Sequence, residues 1–156
     1  MPHIHDKIDF TAEVFVVHKD KVLLRKHDKY KIWLSVGGHI ELNEDPNEAA
    51  IREVKEEVGL DVKLIGQNTR IEPLPKSYCE LIPPAFLNRH KVSETHEHVT
   101  LTYFATSDTD KLKLSEHEVT DGCKWFTLKQ LEEDSEITAR IKFYAKKALE
   151  AAASTK

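Results

Sequence analysis

Gly38-His39-Ile40-Glu41-Leu42-Asn43-Glu44-Asp45-Pro46-Asn47-Glu48-Ala49-Ala50-Ile51-Arg52-Glu53-Val54-Lys55-Glu56-Glu57-Val58-Gly59-Leu60 is the most informative stretch of the chain. Asp45 is placed to accept the first orphan amides of a helix, Pro46 fits its first turn, and Glu48 completes a capping box. Gly59 supplies the left-handed residue that ends it. Between these limits Ala50, Ile51, Val54 and Val58 recur at helical spacing, which predicts an apolar face against a core, with Ala49, Glu53, Glu56 and Glu57 turned towards solvent or a cleft. Glu53, Glu56 and Glu57 stand at i, i+3 and i+4, so three carboxylates share one face and repel. A hard divalent cation bound by oxygen ligands would compensate them; a solvated acidic surface has the same spacing.

The flanking segments alternate between strand and turn. Phe10–Val17 is β-rich with both of its faces apolar, and Val22–Arg25 returns after the polar turn 18–21 as the partner of a hairpin. Ile32–Val36 forms a third strand ending at Gly37-Gly38. Beyond the helix, Asp61–Ile65 reads as a strand. The stretch 67–90 is broken by Pro73, Pro75, Pro83 and Pro84, but its apolar content (Tyr78, Leu81, Ile82, Phe86, Leu87) predicts packed structure. In 98–106, Val99, Leu101, Tyr103 and Ala105 alternate with His98, Thr100, Thr102 and Phe104, a strand pattern. Ser107–Asp121 is a charged excursion, Gly122–Phe126 a strand, and Thr127 opens a short helical turn through Leu131. A last helix follows, capped by Asp134 or Ser135, with Ile137, Ile141, Tyr144 and Ala148 as its apolar stripe. Strands interleaved with two substantial helices predict a mixed sheet covered on both sides, in the α/β class.

Composition sets the outer limits. A length of 156 residues suits one domain with a sizeable core, residues 1–7 forming an N-terminal arm, and 32% charged with 40% apolar residues excludes general disorder. The formal net charge of −4 and the absence of a long basic run argue against stable nucleic-acid binding. No apolar run is long enough to span a membrane, and no signal-peptide pattern appears at the N-terminus. Cys79 and Cys123 match no metal or redox spacing, which fits buried or partly buried thiols in a reducing cytosol. A cytoplasmic protein, monomer or homodimer, is the expectation.

At Gly38, Glu44 and Arg52-Glu53-Val54-x-Glu56-Glu57-x-Gly59-Leu60 the chain resembles the full signature of the Nudix hydrolases, with every defining position filled and no gap in the spacing. Residues 38–60 are thus its Nudix box, and the order of elements extends the resemblance over most of 1–156 as a single domain. The resemblance implies an α/β/α sandwich with a mixed central sheet. It implies, too, a Mg²⁺-dependent pyrophosphohydrolase, Mn²⁺ being a possible substitute, that attacks with water the phosphoanhydride of a nucleoside diphosphate linked to another group X. Such a cation keeps waters, takes further ligands from substrate phosphates and lowers the pKa of bound water.

Residue by residue, the resemblance makes Glu53, Glu56 and Glu57 the metal-binding carboxylates, joined by the Gly37 carbonyl. Arg52 orients and charge-balances a neighbouring carboxylate through bidentate bonds, Glu44 tethers the loop to the helix, and Gly59 closes it. Gly38, His39 and Arg25 are the candidate substrate contacts at the phosphates. Glu97 is the preferred additional glutamate, as metal ligand or general base, with Glu116 and Glu118 behind it. The imidazoles around His90, His96 and His98 read as packed strand residues more readily than as a transition-metal site.

Substrate identity is open at this level. The small size resembles MutT-type nucleoside triphosphate hydrolases; Pro75 and Tyr78 stand near positions that mark ADP-ribose and dinucleoside-polyphosphate hydrolases respectively, and nucleotide sugars are a further alternative. From another class, a non-catalytic nucleotide-binding module of the same fold would tolerate losses in the box that this chain does not show.

Overall fold

A computed structural model describes residues 5–27, 29–67, 71–114 and 122–155; His3, Glu116 and Glu118 lie outside them. Two long strands, β1 (Ile8–His18) and β7 (Glu97–Ser107), run parallel through the centre of a mixed sheet, in register from Ile8 opposite Glu97 to Val17 opposite Thr106. Each is flanked by two shorter antiparallel strands that divide its length. Beside β1 these are β2 (Lys21–Lys26) at its C-terminal end and β4 (Val36–His39) at Thr11–Val14. Beside β7, β5 (Val62–Ile65) covers Phe104–Ser107 and β6 (Phe86–Lys91) covers Glu97–Thr102. The short β3 (Trp33–Leu34) and β8 (Cys123–Thr127) both pair with β2.

Helices cover the two faces of the sheet, as the alternation of apolar strand residues requires. Helix α1 (Pro46–Val58) packs Ala49, Ala50, Val54 and Val58 on Ala12, Val14, Val16, Val36 and Tyr103. On the opposite face α2 (Leu128–Glu133) and α3 (Ala139–Ser154) bury Leu131, Ile141, Tyr144 and Ala148 against Phe15, Val17, Leu24, Phe104 and Phe126. The expected α/β/α sandwich with a mixed central sheet is present.

Several local expectations need correction. Gly37-Gly38 does not end the third strand: the chain leaves β2's edge at Ser35 and re-pairs with β1 through both glycines as far as His39. The close approach requires glycine, because a Cβ on Gly37 would fall 2.2 Å from the Ala12 carbonyl oxygen. Asp134 is the C-cap of α2, and α3 starts after Thr138. Within 67–90 only β6 is regular among the described residues; Tyr78, Leu81 and Leu87 are exposed, whereas Phe86 packs on Phe104 and Tyr144. Trp33 stacks edge-on with Phe126 in the core. Cys79 is exposed, not buried, and Cys123 is half-buried.

Candidate active site

The junction of β4 with α1 places the chemistry. Asp45 accepts from the Glu48 amide at 2.9 Å, the Glu48 carboxylate accepts in turn from the Asp45 amide at 2.9 Å, and Gly59 closes the helix at φ 72°. The helix so fixed does not sort its residues as the apolar spacing suggests. Ile51 is 42% exposed and Ala49 is buried, which rotates the packed face towards the acidic residues. Glu53 and Glu57 are therefore buried, at 6% and 5% exposure, and among the three carboxylates only Glu56 projects to solvent.

Ionised carboxylates are buried only where something offsets their desolvation. Arg52 supplies part of it. Its Nε and Nη2 donate to the two Glu44 oxygens at 2.9 and 2.6 Å, Nη2 also reaches the His39 carbonyl at 3.1 Å, and Nη1 donates to Glu53 and Glu56 at 3.1 and 3.0 Å. One guanidinium thus ties the loop after β4 to two helix carboxylates. Its hydrogen bond to Glu44 is the chief reason that the Glu44 carboxyl is held below its ordinary value and the guanidinium raised above its own. Glu44 also accepts from the Glu41 amide at 2.9 Å, closing the loop on itself. Arg25, on β2, places its Nε 3.3 Å from Glu57 Oε2.

Gly38 makes room for this arrangement. A Cβ there would sit 2.4 Å from Glu53 Oε1, so the carboxylate lies directly against the backbone of β4. The donor set fits a hard divalent cation. Two carboxylates screened from water and a third at the rim share one helix, beside a glycine backbone stripped of side chains.

A groove beside these residues, of about 220 Å³, is lined by Gly37, Gly38, His39 and Arg25, and equally by Glu13, Ser35, His90, His98 and Arg140. Glu13 accepts from Ser35 Oγ at 2.7 Å and from Thr102 Oγ1 at 2.6 Å. Burial first, and then the neighbouring His39, His90 and His96, lower the His98 imidazole to about 4. Sequence reasoning passed over Glu13, although a carboxylate inside the apolar run Phe10–Val17 was a legible signal. Asp9, only 1% exposed, and Arg140 were also missed, and they reach this region only through the parallel pairing of β1 with β7 and the docking of α3. By strand alternation Glu97 lies on the same face of the sheet as Leu101 and Tyr103, the α1 face, but at the end of β7, opposite Ile8 and Lys91, where it pairs with Arg89 on β6.

The mixed sandwich sets a glycine-bearing strand directly against an acidic helix. The chain matches the NUDIX domain model over residues 9–147 and belongs to that family. It is similar to a NUDIX-family hydrolase from Clostridium perfringens, with a TM-score of 0.80 and 39% identity, over 91% of this chain and 96% of that one. A "probable DHNTP pyrophosphohydrolase" of Lactococcus lactis subsp. cremoris (strain MG1363) is 29% identical over 113 residues, which is 72% of this chain. That match spans 63% of the relative's own length. The fold is shared with a MutT NUDIX hydrolase from Burkholderia pseudomallei, at a TM-score of 0.66 and 17% identity, over 94% of this chain and 98% of that one.

Proposed function

We propose that this chain is a Mg²⁺-dependent pyrophosphohydrolase that uses water to cleave the phosphoanhydride of a nucleoside diphosphate derivative, nucleoside triphosphates included. The observation that carries the reading is the burial of Glu53 and Glu57 beside the exposed Glu56, with the Glu53 carboxylate against the backbone of Gly38. Carboxylates kept from water at a helix face are costly unless a cation completes them. Glu53, Glu56, Glu57 and the Gly37 carbonyl would hold that cation, with Mn²⁺ as a substitute. When bound, it neutralises diphosphate charge and makes its water a nucleophile near neutral pH.

The protein's own part is positioning. Arg52 holds Glu53 and Glu56 in fixed orientation through Glu44 and the His39 carbonyl. Arg25 and His39 lie in the adjoining groove at the place proposed for the phosphates, and the missing side chains of Gly37 and Gly38 let an anionic group approach the backbone. Glu97, engaged by Arg89, is not retained as the base; Glu13 is the carboxylate within the groove. A cytoplasmic setting stays part of the proposal; no described helix is long and apolar enough to cross a membrane.

Glu56→Gln or Glu57→Gln should abolish turnover while leaving the circular dichroism spectrum unchanged. Undiminished hydrolysis in either variant overturns the mechanism. A panel of nucleoside triphosphates, nucleotide sugars, ADP-ribose, dinucleoside polyphosphates and DHNTP, read by chromatography of the nucleotide and phosphoryl products, sorts the substrate; DHNTP is included because of the Lactococcus relative.

A further inference from the structure

Four imidazoles and one buried aspartate converge at the N-terminal end of β1. The parallel register sets Asp9 opposite His98 and the antiparallel one sets Thr11 opposite His39, so Asp9, His39 and His98 point to one face of the sheet. His39 Nε2 lies 3.3 Å from Asp9 Oδ2, and one donor atom from each of the three residues falls within 4.8 Å of the others. The His39 and His98 rings meet edge to face at 5.0 Å between centroids.

We infer that Asp9, His39 and His98 form a second cation site, separate from the glutamates of α1 and selective for a zinc-type divalent ion. Bond lengths of about 2.0–2.2 Å to nitrogen and oxygen set the edge of a tetrahedron around such an ion at about 3.3 Å, the separation found between His39 Nε2 and Asp9 Oδ2. His98 offers its donor atom within 4.8 Å of both. The carboxylate is oriented in advance: Asp9 Oδ1 accepts from the His5 amide at 2.8 Å, and His96 Nε2 stands 3.2 Å from Oδ2. Such outer partners hold a metal-binding side chain in its working orientation.

Donor chemistry separates the two sites. The α1 glutamates offer only oxygen and suit Mg²⁺, whereas two imidazoles with one carboxylate favour zinc, cobalt or nickel. Three protein ligands leave a position for water or an anionic oxygen. His39 and His98 line the groove shared with Arg25, Gly37 and Arg140, so an oxygen of a bound phosphate ester is the ligand class that could complete the ion.

The test is a Co²⁺ titration of untagged, chelator-treated full-length protein in excess Mg²⁺, followed by visible absorption and by the histidine ring resonances in proton NMR. The expected result is one Co²⁺ per chain, with paramagnetic shifts on four imidazoles and binding retained in the Glu56→Gln/Glu57→Gln double variant. His98→Gln and Asp9→Asn should lose the cobalt spectrum, and His96→Gln should weaken binding by about 10-fold or more. Should His98→Gln fail to fold, the ring shifts in the unsubstituted protein decide alone. Cobalt displaced stoichiometrically by Mg²⁺, unshifted histidine rings, or equal affinity in folded Asp9→Asn overturns the site. Failure of the glutamate mechanism would leave this result untouched, since the readout is metal binding, not turnover.

Discussion

Two adjacent glycines show how differently a single Cβ can act. At Gly37 the added carbon meets the Ala12 carbonyl oxygen, a backbone atom that can move only if β1 and β4 separate. At Gly38 it meets the end of the Glu53 side chain, which can swing away. Gly37→Ala should therefore cost stability, about 1–3 kcal/mol by overpacking. Gly38→Ala should leave the melting temperature nearly unchanged but displace a carboxylate, lowering kcat roughly 100-fold. Thermal melts beside steady-state kinetics separate the two, and equal stability losses would contradict this account. Glu44 gives a prediction in pH. Its carboxyl is held below the ordinary 4.5, so the stability it adds is present above that value and is lost as pH falls through its lowered folded value. Glu44→Gln should flatten the acid limb of a stability–pH curve measured by urea unfolding; an unchanged slope would show that the Arg52 pairing does not couple to folding.

Helix α1 is the element on which both folding and chemistry depend. Its ends are set by local sequence: the Asp45–Glu48 box at one end and the left-handed Gly59 at the other. Removing the cap with Asp45→Ala should cost about 1 kcal/mol. Gly59→Ala should cost as much or more, because φ there is 72° and the new Cβ would lie 2.6 Å from Lys113 Cβ. Chemical denaturation of both variants checks this, and a cost near zero for Gly59→Ala would mean that the 113 segment gives way freely. The rotation of the helix was not readable in the same manner. Periodicity put Ile51 in the core and Ala49 outside, whereas Ala49 is fully buried and Ile51 is 42% exposed. Bulk goes outward, and Glu53 and Glu57 turn inward.

For the molecule as a whole, the proposed cation should act as a ligand of the native state alone. Carboxylates held together at α1 repel in its absence, and mass action then links stability to metal concentration. Saturation at 100 times the dissociation constant contributes about 2.7 kcal/mol, or roughly 5–10 °C in Tm for a chain of this size. Scanning calorimetry with and without Mg²⁺ should show that rise in the unsubstituted protein and lose it in the Glu56→Gln/Glu57→Gln double variant. A Tm indifferent to Mg²⁺ would separate the acidic helix from metal binding.

Much of this molecule is legible in short-range chemistry. Caps, glycines, alternation along β7 and the spacing of Arg52, Glu53, Glu56 and Glu57 are all local, and local rules disclose α1, most strands and the class of fold. The strand β6 was hidden because Pro83 and Pro84 stand just before it and Phe86, itself only partly buried, is its one residue packed against the core. The depth of each glutamate, the pairing of Arg25 with Glu57, and the meeting of Asp9 with His39 and His98 lay beyond local reading. Those contacts join residues far apart in the chain, and they arise only when β1 accepts β4 on one edge and β7, in parallel, on the other. Residue type and spacing settled which groups could do chemistry; long-range strand pairing settled which of them stand together.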